Sequence, residues 1–71
     1  MLLITTNHGT FYRYTEKALA GDASAQLFLG QSYQRGFGVE KNLDEAIKWL
    51  RKSAEQGNVY APHILKKLEE E

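Results

Sequence analysis

Ala18-Leu19-Ala20-Gly21-Asp22-Ala23-Ser24-Ala25 and Ala54-Glu55-Gln56-Gly57-Asn58-Val59-Tyr60-Ala61 read as two versions of one junction. In each, a glycine able to take the left-handed conformation follows a helix-forming run, and an Asx side chain able to cap the next helix comes directly after it. Gly21-Asp22 and Gly57-Asn58 stand 36 positions apart. A fixed period in the thirties is the mark of stacked helical pairs, each of which buries its apolar face only against its neighbours. The same offset carries Phe11 onto Ile47, Tyr14 onto Leu50, Ala18 onto Ala54, Ala25 onto Ala61, Phe28 onto Ile64 and Leu29 onto Leu65. Small or apolar positions therefore repeat in register.

The runs between the glycines are rich in Ala, Leu, Gln, Glu, Lys and Arg, all good helix formers. Four helices are predicted, near 8–20, 22–35, 43–56 and 60–69. Ala25, Phe28, Leu29, Ser32 and Tyr33 form the core stripe of the second helix, and Ala46, Ile47, Leu50 and Ala54 that of the third. Asn42 with Glu45 resembles a capping box, and Asp44 with Lys48 is in the favourable order for an ion pair one turn apart. Folded back as an antiparallel pair about a point near Val39, the middle helices should set Ala25 near Ala54, Leu29 near Leu50 and Ser32 near Ala46. Gly30 suits such a close approach. The expected fold class is an all-α solenoid of antiparallel helix pairs. Residues 1–71 form one small domain: an apolar arm at 1–7, the second half of a degenerate repeat at 8–21, a complete repeat at 22–57 and the first half of another at 58–71.

The chain has 71 residues and a mass of 8.1 kDa, with nine basic and nine acidic residues, a pI near 6.7 and no cysteine. Disulfides and thiolate metal sites are thereby excluded. At 42% hydrophobic the composition is that of a folded chain, and its balanced charge offers little of the long-range attraction that nucleic-acid binding uses. Met1–Ile4 is much shorter than a signal-peptide core or a membrane span, so no membrane partner is expected and the cytoplasm is the expected compartment.

From Ala18 to Ala61 the chain carries Gly21-Asp22-Ala23, Ala25-Gln26, Leu29-Gly30, Tyr33, Gly36-Phe37-Gly38-Val39, Ala46-Ile47, Trp49, Arg51-Lys52 and Ala54-Glu55-Gln56-Gly57. This combination resembles the Sel-one-like repeat family, relatives of the tetratricopeptide repeats. The resemblance implies a right-handed superhelix of antiparallel helix pairs. It also implies adaptor or scaffold members, many of them bacterial, that do no chemistry of their own. Glu40, Asn42 and Leu43 depart from a proline, an aspartate and a tyrosine common in the family. Pro62 stands where Gln26 stands one period earlier, so the last helix is expected to begin at Ala61 or Pro62. Phe11, Tyr14, Ile64, Leu65 and Leu68 are expected to need cover, either from Leu2, Leu3 and Ile4 folding over as a cap or from self-association through the end helices or residues 1–4.

No catalytic set emerges. His8 and His63 lack neighbours at ligand spacing. Ser24, Ser32 and Ser53 lie in helical contexts without a nucleophile elbow. Gly36-Phe37-Gly38 lacks the Lys-Ser/Thr ending of a phosphate loop. Trp49 reads as packing, and Lys48, Arg51 and Lys52 as a solvated face. No cofactor and no metal are expected. In tetratricopeptide-like solenoids the first helix of each pair lines the concave surface, which nominates Ser24, Leu27, Gln31, Gln34 and Arg35 for contact with a protein or peptide partner. The expected function is non-catalytic protein–protein interaction. The alternative is a small regulator that blocks one enzyme or effector. A helix-turn-helix DNA binder is disfavoured by the long 36–42 connection and by the charge.

Overall fold

A computed structural model describes the backbone of residues 2–70 and the side chains of residues 9–70. Four helices follow one another: α1 Leu2–Leu19, α2 Ala23–Arg35, α3 Leu43–Glu55 and α4 Ala61–Glu70. No strand occurs among the described residues. Each helix packs chiefly on its neighbour in sequence, α1 on α2, α2 on α3 and α3 on α4. The Cα trace measures 35 × 28 × 16 Å. Packed helix axes lie ~8–10 Å apart with Cα atoms ~2.3 Å from each axis, so the 16 Å dimension is about two helices thick.

The repeat seen in the sequence reappears as repeated hydrogen bonding. At the end of α1 the Gly21 amide donates to the Ala18 carbonyl at 3.0 Å and the Asp22 amide to the Lys17 carbonyl at 3.1 Å. At the end of α3 the Gly57 amide donates to Ala54 at 3.0 Å and the Asn58 amide to Ser53 at 3.1 Å. Both glycines have positive φ, 100° and 96°, as this helix ending requires. The Asx caps match as well. Asp22 Oδ1 accepts from the Ala25 amide at 2.9 Å, and Asn58 Oδ1 from the Ala61 amide at 3.1 Å.

Antiparallel packing of α2 on α3 is set by small residues. An added Cβ on Gly30 would lie 2.6 Å from Leu50 Cγ and 3.2 Å from the Ala46 carbonyl oxygen, so the backbones meet where only glycine fits. Ser53, fully buried, donates from Oγ to the Ala23 carbonyl at 2.7 Å. These contacts are symmetric about the Gly38-Val39 region, as expected. The expected Leu29–Leu50 opposition is replaced by a division of labour. Leu29 joins Phe11, Ala18, Ala25 and Trp49 in one cluster, while Leu50 joins Ala46, Ala61 and Leu68 in the other. Ala25 likewise belongs to the first cluster, and Ala54 packs against the second.

Three further expectations change. Residues 2–7, expected as an arm outside the helices, continue α1 in the backbone. No proline interrupts them, Thr and Asn each cost well under ~1 kcal/mol in a helix, and Gly9 faces open space. The proposed cap by Leu2, Leu3 and Ile4 concerns side chains outside the described residues. Of the faces expected to need cover, Phe11 and Leu68 are buried, and Tyr14, Ile64 and Leu65 are half-buried. The capping box is half formed: Asn42 Oδ1 accepts from the Glu45 amide at 3.1 Å, but the Asn42 amide donates to the Tyr33 carbonyl at 2.9 Å instead of to Glu45. Glu45 turns to Lys48 at 3.9 Å, taking the place expected for Asp44.

Candidate interaction surface

α2 carries the sequence-nominated residues, and the structure divides them. Ser24 is exposed in the first turn, beside the Asp22 cap. Leu27 is half-buried against the cluster of Ala46, Leu50, Ala61 and Leu68, so its side chain seals the side of α2 that faces α3 and α4. Gln31 and Arg35, one turn apart, line a cleft of about 330 Å³ together with Phe28, Ser32, Gly36 and Phe37. Gln34 is half-buried and does not line the cleft. Arg35 is exposed in the last turn of α2, where a cation complements the helix dipole.

The apolar half of this cleft comes from rings the sequence had assigned elsewhere. Phe28 stacks on Tyr14 of α1, with centroids 4.2 Å apart and planes at 30°. Phe28 also meets Phe37 edge to face, with centroids 6.0 Å apart and planes at 85°. Phe37 stands 42% exposed in the turn after α2, held there by its amide donating to the Ser32 carbonyl at 2.9 Å. The signal for it was present: a bulky ring between two glycines, in a turn that needs none.

Polar groups elsewhere are engaged structurally. Gln26 is buried between α1 and α2, its Nε2 donating to the Ala18 carbonyl at 3.0 Å and its Oε1 left without a partner. Pro62, one period on, cannot make this clasp, and Arg51 meets Glu69 at 4.0 Å across α3 and α4 instead. Ser32 Oγ donates to the Phe28 carbonyl at 2.8 Å. Trp49 is buried in the first cluster and acts in packing. Lys48, Arg51 and Lys52 share their surface with the carboxylates of Asp44 and Glu55. The described side chains form no group of three or more His, Asp and Glu placed to hold a metal. His63 is exposed, and the His8 side chain lies outside the described residues. Burial first, and the Glu45 carboxylate second, push the Tyr33 phenol above its ordinary range. No helix among the described residues is long and apolar enough to cross a membrane.

The Sel1 repeat profile matches residues 23–58, which span α2, α3 and the Gly57-Asn58 turn after them. The chain belongs to the Sel1 repeat family. A crystal structure of a Sel1 repeat protein from Oxalobacter formigenes superposes with a TM-score of 0.83 at 41% identity, over 86% of this chain and 25% of that one. A Sel1-like repeat-containing protein of Acanthamoeba polyphaga mimivirus is 54% identical over 43 residues, 61% of this chain and 7% of that protein. DAP3-binding cell death enhancer 1 of Rattus norvegicus is 44% identical over 48 residues, 68% of this chain and 9% of that protein. The chain thus spans less than a tenth of the length of these two relatives. Sel1 repeats generally mediate protein–protein interaction.

Proposed function

We propose that this Sel1 chain is a non-catalytic adaptor module that holds a partner protein or peptide against α2 through Ser24, Gln31, Gln34 and Arg35, with Leu27 supporting the surface from below. The observation that carries this reading is the cleft of about 330 Å³, which sets Gln31 and Arg35 beside the rings of Phe28 and Phe37. Glutamine amides can bond a peptide backbone in either sense, and an aromatic floor suits one apolar side chain. Residues 22–57 are read as the complete repeat, flanked by half-repeats at 8–21 and 58–71, a division supported by the matched capping at Gly21 and Gly57. The rat relative's printed name records binding to DAP3, which favours a protein as partner class and leaves its identity to experiment.

The test is affinity capture from source lysate with the wild type and a Gln31→Ala, Gln34→Arg, Arg35→Ala variant, both shown to be helical by circular dichroism. Proteins retained by the wild type should be lost from the variant. Equal capture of the same proteins by both would contradict the assignment of the surface to α2.

A further inference from the structure

The cleft beside α2 has a neighbour. Across the Tyr14–Phe28 stack, Thr10, Arg13, Tyr14 and Lys17 line a second hollow of about 270 Å³. Tyr14 lines this hollow and Phe28 the first, so the stacked pair, with centroids 4.2 Å apart, stands between a hollow on α1 and one on α2. Three cations line the two hollows, Arg13 and Lys17 on α1 and Arg35 on α2, and no carboxylate lines either. Lys17 lies over the Tyr14 ring at 5.8 Å. Within the described residues Arg13, Lys17 and Arg35 make no ion pair, and the two cations that do, Lys48 and Arg51, both lie on α3. In a chain of zero net charge, three unpaired cations on one aromatic strip are a local excess with no internal partner.

We propose that the two hollows act as one groove across α1 and α2 that receives an acidic peptide segment carrying one bulky apolar side chain, the side chain seated against Phe28 and Phe37 and the flanking carboxylates paired with Arg35, Arg13 and Lys17. The proposal rests on the adaptor reading and specifies the chemistry of its partner. Each hollow lies near the lower end of the ~300–1,000 Å³ range of small-molecule sites, which suits a single side chain better than a cofactor. A single-stranded nucleic acid would also find rings and cations here. Three cations, however, give a salt dependence of at most about the second power of concentration, and they leave a neutral chain without the basic face that such binding uses.

The experiment is fluorescence anisotropy of the full chain with a labelled pentapeptide, a phenylalanine flanked on each side by two acidic residues. Replacing that phenylalanine by alanine, or the acids by lysines, should weaken binding about tenfold or more, the equivalent of ~1.4 kcal/mol. Phe37→Ala alters an exposed ring, and Arg13→Gln with Lys17→Gln alters residues outside the α2 stripe. Each should weaken the acidic peptide about fivefold or more with the helical signal intact. The proposal is overturned if the lysine or alanine peptide binds as well, if neither variant changes the affinity, or if a uridine decamer binds more tightly than the acidic peptide. Failure here separates from failure of the adaptor reading through the lysate capture. Loss of capture in the Gln31→Ala, Gln34→Arg, Arg35→Ala variant alongside a silent peptide would remove only the groove, while undiminished capture alongside peptide binding sensitive to Arg13 and Lys17 would remove the α2 surface and keep the groove.

Discussion

Tyr33 packs between the two apolar clusters. Its ring meets Phe11 of α1 edge-on at 5.5 Å, its side chain packs against both apolar clusters, and its carbonyl accepts the Asn42 amide that anchors α3. Burial, and after it the Glu45 carboxylate, favour the neutral phenol, so the folded state holds its proton above the ordinary tyrosine value of ~10. The sign follows from linkage. Below about pH 10 both states are protonated and the full stability is present. As pH rises above that value the unfolded chain ionises first, and stability is lost up to the raised folded pKa. Tyr33→Phe should flatten this alkaline loss, read as denaturant midpoints between pH 8 and 11 for both proteins. An identical slope would place the loss elsewhere. Ser53→Ala removes the hydroxyl that donates to Ala23 at a fully buried site and should cost about 1–2 kcal/mol by chemical denaturation.

At the scale of elements, the α2·α3 contact shows packing overruling propensity. Alanine at position 30 would gain about 1 kcal/mol of intrinsic helix stability. Its Cβ would also fall 2.6 Å and 2.8 Å from two atoms of Leu50, a side chain with no exposed surface and no room to retreat. Overpacking should win, and Gly30→Ala should be net destabilising by about 1–3 kcal/mol, a Tm drop of roughly 5–20 °C. Ala25→Leu, at a position 1% exposed, should act in the same direction. Unchanged midpoints would mean the helices do not meet there. Asn58→Ala removes the side chain that accepts from both Tyr60 and Ala61, and should fray α4 at a cost of about 1 kcal/mol. The bounds of α2 and α3 were legible because Asp22, Asn42 and Gly36 punctuate them, each with local chemistry that needs no tertiary knowledge. The start of α1 was not, since Thr and Asn occur both at helix N-caps and within helices, so Thr5, Thr6 and Asn7 do not mark where it begins. The reading of the surface was partial for a related reason. Gln31 and Arg35 follow from helical periodicity, but Phe28 lies at the edge of the core stripe, where only the neighbouring helix decides which way it serves. Phe37 sits in a turn that has no periodicity, and Leu27 is claimed by a cluster that draws on α3 and α4.

Across the whole molecule, the 36-residue period also shows how the end helices differ from the middle pair. Lys66 occupies on α4 the place that Gly30 holds on α2, and Lys17 occupies on α1 the place of fully buried Ser53. A second copy could not dock on either end with the geometry of α2 on α3 without burying an unpaired ammonium. Sedimentation velocity across the micromolar range should therefore give a concentration-independent coefficient, and a rising one would mean that copies associate by another route. On the proposed reading, the four Sel1 helices receive a partner along α1 and α2. Amide chemical-shift mapping of the isotopically labelled chain, titrated with the acidic phenylalanine peptide, tests it most directly. The expected result is perturbation concentrated at residues 13–17 and 28–37, with α3 and α4 largely unmoved. Shifts confined to the outward side of α3, around Asp44, Lys48 and Arg51, would contradict it.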